Sequence, residues 1–208
     1  MISVTPKLYY VHDPMCSWCW GFRNTWLTIK QQLPESIQLI SLVGGLAPDS
    51  DEPMPESLRN TLQSTWKRIS DQIPGTQFNF DFWTLNTPRR STYPACRAVI
   101  AAKKLAHLED AMTFGIQQAY YLQAKNPSDL DTLFDIAQLT GIDEQAFKSL
   151  MNSSQIDDLL NAEIKQGREL GLNSFPSLAL QLGNELHAIN IDYCSAENVL
   201  LQINTLLN

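Results

Sequence analysis

No apolar run in the 208 residues approaches the roughly 18 needed to cross a bilayer, which argues against a membrane-spanning helix. Basic charge is also short. Fifteen Lys and Arg stand against twenty-two Asp and Glu, a formal net charge of −7, which disfavours a phosphate-tracking groove and hence a nucleic-acid partner. Four cysteines are too few for a disulfide-stapled scaffold. Internal repeats and low-complexity tracts are absent, and Met1–Lys7 lacks the basic segment and long apolar stretch of a secretory signal. The expectation is a cytoplasmic protein. A hydrophobic fraction of 44% with 18% charged residues is enough to bury a core.

The chain opens with a short aromatic and β-branched run, Leu8-Tyr9-Tyr10-Val11, bounded by Pro6 and Asp13-Pro14, which reads as a buried strand. After Cys16 the apolar period becomes helical through Cys19, Phe22, Trp26, Ile29 and Leu33, and Pro34 ends it. Ser36 to Val43 returns to strand character before Gly44-Gly45. Strand, helix and strand with short links predict a parallel right-handed crossover. Residues 46–56, with three prolines and four acids, read as an exposed loop. Beyond them a helix carries Leu58, Leu62, Trp66 and Ile69, and 74–91 is irregular and aromatic. Helices are predicted near 92–107, 109–125, 128–140, 143–151 and 154–170, with Ser128-x-x-Asp131 as a capping box and Gly141 and Gly171 at helix ends. Residues 177–190 read as a hairpin turning at Gly183-Asn184, and Ser195 as the cap of a last helix. The two ends are incomplete sheets alone, so they are expected to pair. Residues 1–56 and 172–208 would form one α/β domain, 57–153 a helical insertion, and helix 154–171 a bridge back.

Cys16 and Cys19 lie where the first strand gives way to the first helix. A helix N-terminus aims free N–H groups and the positive end of the dipole at the Cys16 sulfur, which favours thiolate. Cys19 follows one turn later on the same face, close enough to close a small disulfide ring. An outer thiolate can attack a disulfide and an inner thiol can resolve the product. Zinc is the rival reading, but it wants four ligands, and Cys96, Cys194 and the histidines offer no second close pair. The expected site therefore holds no metal. His12 and Asp13 could handle a proton for Cys19, or cap and pack the strand end. Cys96 could be a third redox thiol or a buried small hydrophobe. Cys194 could be reactive but has no partner by spacing, and Arg89 and Arg90 could bind an anion but read first as solvated. Trp18 projects between the cysteines as an apolar lip, whereas Trp26 belongs to the core stripe. For Pro176, just before the third strand, residue physics alone favours an ordinary trans turn.

Four stretches together resemble the DsbA family of the thioredoxin fold: His12–Phe22, Leu42–Leu46, Asn86–Ala98 and Ser174–Pro176. Within that family the chain is similar to the cytoplasmic, FrnE-like group of predicted protein-disulfide isomerases. The resemblance implies a thioredoxin-like fold with a large helical insertion, Cys16 as nucleophile, Cys19 as resolving thiol and Pro176 as a cis-proline. It also implies that the backbone of Phe175 holds an extended peptide, that no cofactor is bound, and that glutathione or a thioredoxin-type protein serves as redox partner for protein or peptide thiols. The dipeptide Ser17-Trp18 differs from the Pro-His and Gly-Pro of better-known relatives, and Phe175 is bulkier than the residue many relatives carry. Glutathione-dependent kappa transferases and 2-hydroxychromene-2-carboxylate isomerases share the layout but place serine at the attacking position. A third reading is a non-catalytic partner-binding module.

Overall fold

The computed structural model describes residues 5–207, so most of the stretch read as lacking a secretory signal lies outside the described residues. Strand β1 (Lys7–His12), helix α1 (Ser17–Gln32) and strand β2 (Gln38–Val43) form the expected crossover, with β1 and β2 parallel from Lys7↔Gln38 to His12↔Val43. The hairpin β3 (Ser177–Leu182) and β4 (Glu185–Ile189) completes a sheet in the order β2-β1-β3-β4. The two chain ends meet because β1 pairs antiparallel with β3, Leu8 opposite Leu180 and Val11 opposite Ser177. The fold is thus thioredoxin-like, with a large set of helices added to the sheet.

β1 lies inside the sheet and is apolar on both faces. Leu8 and Tyr10 face a core built with Phe22, Trp26 and Ile29 of α1 and with Val199 and Ile203 of α9 (Ala196–Leu207). Tyr9 and Val11 face the other way, toward Leu42, Leu170, Leu172 and Phe175. The two-residue period of a strand thereby feeds two layers from one short segment. The Ser195 hydroxyl accepts from the Asn198 N–H and caps α9 as expected.

Between the halves run α2 (Glu56–Gln72), α3 (Phe82–Leu85), α4 (Tyr93–Ala106), α5 (Glu109–Tyr121), α6 (Leu130–Leu139), α7 (Glu144–Met151) and α8 (Ser154–Glu169). The aromatic stretch after α2 has a structural reason. Phe78, Phe80, Phe82 and Trp83, with Tyr120 and Tyr121 of α5, surround the Trp66 ring. Ala95, Ala98, Ala101 and Ala102 are fully buried on α4, so small side chains let α5, α7 and α8 come close to it. Met15 and Val43 join this same core and bind it to the sheet. β2 is an edge strand, and α8 covers it. Glu163 accepts the Val43 N–H at 2.8 Å and pairs with Lys103 at 3.1 Å.

Several expectations are corrected. The loop 46–56 is not wholly exposed: Ala47 and Met54 are buried, and the Met54 N–H donates to the Pro88 carbonyl. Ser128 caps no helix. It is buried and donates to the Ser91 carbonyl, while Asp129 takes the N-cap position without a side-chain bond. Helix α5 stops at Tyr121 rather than 125, and Ala124 turns at φ 54°.

Two positive-φ glycines separate backbone strain from crowding. Gly45 has φ +63°, and a Cβ there would sit 2.4 Å from Ile164 Cδ1 and 2.9 Å from the Tyr93 ring, whereas at Gly75 (φ +82°) nothing lies within 4 Å. Gly75→Ala is expected to cost about 1 kcal/mol from the left-handed backbone alone. Gly45→Ala should cost at least about 2 kcal/mol, because overpacking is added. Urea unfolding of both variants checks this, and equal losses would contradict it.

Candidate active site

The dithiol is built by the turn that leaves β1. The Asp13 carbonyl accepts the Cys16 N–H at 3.0 Å, and the Cys16 carbonyl accepts the first helical bond from the Trp20 N–H at 3.0 Å. Cys16 is thereby the N-cap of α1, in extended conformation (φ −80°, ψ 119°). No acidic side chain stands in the first turn and no side chain caps it, so the helix dipole faces the Cys16 sulfur uncompensated. Both cysteines are free thiols. Cys16 is 7% exposed and Cys19 1%, the outer and inner order that attack and resolution require. Burial pushes the Cys19 thiol well above the usual range, and its hydrogen bond with Cys16 adds to the effect.

Opposite the pair lies Phe175-Pro176, joined by a cis peptide bond. The register explains the meeting. With Val11 opposite Ser177, two further steps bring residue 175 level with residue 13. Cys16 Sγ donates to the Phe175 carbonyl at 3.4 Å. The Phe175 ring lies over Gly44, where a Cβ would overlap it. The ordinary trans proline favoured by residue physics alone is therefore corrected, and the isomer implied by the family resemblance is the one found.

A cavity of about 290 Å³ opens beside Cys16. Met15, Met54, Leu62, Trp66 and Tyr120 give it apolar walls; Trp18, Thr65, Arg90, Asn173 and Ser174 stand around it. Trp18 leans on Tyr193 at 5.1 Å, with the Arg68 guanidinium 5.2 Å from its ring. Much of this cavity comes from the helices between the sheet halves, which residue patterns did not connect to the dithiol.

His12 and Asp13 are both buried. His12 stacks on Tyr10 at 4.8 Å, its Nδ1 has no partner, and burial pushes its pKa down to about 4. Asp13 Oδ1 accepts the Met15 N–H at 2.8 Å. Oδ2 accepts the Leu46 N–H at 2.7 Å, Thr92 Oγ1 at 2.7 Å and Cys96 Sγ at 3.4 Å. Burial pushes the Asp13 carboxyl up, and these donors oppose the shift. Two residues that sequence reasoning gave no role in the site hold its loop, Thr92 and Tyr121, whose hydroxyl donates to the Met15 carbonyl at 2.7 Å, and Cys96, weighed as a redox thiol or a small hydrophobe, joins them as a buried hydrogen-bonding group. Thr92 and Cys96 fall within the family-like stretch 86–98, the one signal that marked them. Arg89 is only partly solvated, since it donates to the Ser128 carbonyl and to Asp129. Arg90 and Cys194 are exposed. Among the described residues no group of three or more His, Cys, Asp or Glu is arranged to hold a metal ion, and no helix is long and apolar enough to cross a membrane.

A family model described as thioredoxin matches residues 9–199. The structure is similar to that of a candidate protein disulfide isomerase from Nitrosomonas europaea (TM-score 0.85, 25% identity, 98% of each chain covered). It is also similar to the cytosolic disulfide reductase DsbM from Pseudomonas aeruginosa (TM-score 0.78, 22% identity, 97% of this chain and 100% of that one), which is solved with GSH as well. Among curated sequences, the ClpXP adapter protein SpxH of Bacillus subtilis (strain 168) is 23% identical over 175 residues, 83% of this chain. The chain spans 57% of that relative's length. The architecture is DsbA-like.

His12 gives a pH test. Its folded pKa near 4 lies below the ordinary value of 6.5, so as pH falls through that window the unfolded chain takes the proton first and stability drops. The loss amounts to about 3 kcal/mol between pH 6.5 and 4. Asp13, with a raised folded pKa, works in the opposite sense, so the variant comparison is the informative one. His12→Phe keeps the stack on Tyr10 and should flatten the decline in urea stability over this window. An unchanged slope would refute the assignment.

Proposed function

The chain belongs to the thioredoxin family, and from that premise we propose that it is a thiol–disulfide oxidoreductase working through Cys16-Ser17-Trp18-Cys19 on protein or peptide disulfides. The observation that carries this is the placement of Cys16: N-cap of a helix, outermost of two reduced thiols, bonded to the Phe175 carbonyl and open to an apolar cavity.

In the reducing direction the Cys16 thiolate attacks one sulfur of the substrate disulfide. The Cys16–substrate bond forms, the substrate S–S bond breaks, and the other half leaves as thiolate. Cys19 then loses its proton and attacks Cys16 Sγ, which releases the second substrate thiolate and closes the Cys16–Cys19 disulfide. Two electrons have passed to the substrate. An external thiol, glutathione or a thioredoxin-type partner, returns them. His12, neutral and with an unpartnered Nδ1, and Asp13, whose charge acts on Cys19, are our candidates for handling the Cys19 proton. The Phe175 and Pro176 backbone receives an extended substrate segment, and Trp18 forms the lip over it. The likeness to a cytosolic disulfide reductase supports the reducing or isomerising direction and a cytoplasmic setting. In the domain division that goes with this reading, residues 1–56 and 172–208 carry the dithiol, residues 57–153 shape the substrate side, and α8 bridges the two.

A second reading takes support from the solved GSH complex of the Pseudomonas neighbour: glutathione-dependent turnover of small molecules, of the kappa transferase or 2-hydroxychromene-2-carboxylate isomerase kind. It predicts turnover that survives loss of Cys19. A third, a partner-binding adapter role, has the SpxH likeness behind it and predicts that both cysteines are dispensable.

Cys16→Ser is expected to abolish disulfide reduction, a loss of at least about a thousandfold, because the nucleophile is gone. Cys19→Ser should accumulate a mixed disulfide between Cys16 and substrate, seen by mass spectrometry and released by dithiothreitol. Full activity in Cys16→Ser would refute the mechanism.

A further inference from the structure

Asp13 is the one carboxylate among the described residues that is fully buried, and no described ion pair neutralises it. A buried charge is costly unless its lone pairs are met by donors. Its four donors come from three separate places: Met15 in the turn after β1, Leu46 in the loop after β2, and Thr92 with Cys96 at the start of α4. Cys96 works in two directions, since its thiol donates to Asp13 while a backbone bond from Gly45 acts on its sulfur. The Asp13 backbone touches both halves of the dithiol. Its carbonyl holds the Cys16 N–H at 3.0 Å, and a backbone hydrogen bond from Asp13 acts on Cys19.

We propose that Asp13, clamped by Thr92 and Cys96 at the start of α4, is a positioning residue of the dithiol, fixing the turn that presents Cys16 and setting the Cys16–Cys19 redox equilibrium through its buried charge. The inference rests on the oxidoreductase reading above and adds to it a mechanical and electrostatic link from the helical part of the chain. Reduction of the disulfide yields two sulfurs that take negative charge when they ionise to react, whereas the disulfide is neutral, so a fixed negative charge nearby disfavours the reduced form. The same charge pushes the Cys19 thiol upward, after burial and Cys16 itself. Hydrogen bonds from Thr92 and Cys96 spread the charge and moderate it.

The test is the equilibrium of the Cys16–Cys19 disulfide with glutathione, read by alkylation and mass spectrometry on the full chain. Asp13→Asn removes the charge and should move the equilibrium constant about tenfold toward the reduced protein, ~30 mV for a two-electron couple. Cys96→Ala should move it at least about threefold the other way, Cys96→Ser should restore it to within about twofold, and Cys96→Ala should have no effect in a protein already carrying Asp13→Asn. A residue with a purely structural role would lower urea stability and leave the constant alone. A folded Asp13→Asn protein within about twofold of the unsubstituted one, or equal effects of Cys96→Ala with and without Asp13→Asn, would overturn the proposal. If Asp13→Asn does not fold, Thr92→Val and Cys96→Ala carry the test, and constants within about twofold for both would overturn it. Failure of the unsubstituted protein to form a reversible Cys16–Cys19 disulfide would instead overturn the oxidoreductase reading itself.

Discussion

Strand β1 pairs along both of its edges, and its antiparallel register with β3 decides what stands opposite the turn that ends at Cys16. Shifting that register by one residue would exchange Leu8 and Tyr10 for Tyr9 and Val11 on the two faces of the sheet and set side chains of the wrong size into both cores. Hydrophobic burial thus holds the register, and the register brings the Phe175 carbonyl to 3.4 Å from Cys16 Sγ. The reactive geometry is a consequence of core packing, between residues 159 apart in the chain.

The helices between the sheet halves are part of the site rather than an appendage to it. Tyr121 holds the Met15 carbonyl, Thr92 and Cys96 hold Asp13, and Trp66, Leu62 and Tyr120 wall the cavity beside Cys16. Each of these is a buried polar group finding its partner or a large side chain closing a gap. The same helices carry Met15 and Val43 in their core, so the turn before Cys16 and the end of β2 are anchored on both sides. Glu163, accepting the Val43 N–H from α8, closes the open edge of the sheet in the same region.

Much of the layout was legible from residue patterns because it is local. The two-residue period of Leu8–Val11, the helical stripe from Cys19 to Ile29 and the Gly183-Asn184 turn each specify an element through nearest neighbours, and each formed where expected. The capping motif at Ser128 misled for a physical reason. Its hydroxyl had a buried carbonyl to satisfy at Ser91, and a tertiary bond displaced the local cap. The exposed reading of residues 46–56 failed similarly, since Ala47 and Met54 turn inward among polar and proline-rich neighbours.

The sequence by itself determined the elements, the dithiol and its place at a helix start, since spacing along one helix turn is enough to set two sulfurs on one face. Tertiary structure alone decided what surrounds them. The Phe175 carbonyl beside Cys16, three of the four donors on Asp13 and the second use of Cys96 all come from residues distant in the chain. Pattern reads what one segment does with its own neighbours. The pairing of buried polar groups across the core is settled only when the whole chain has folded around them.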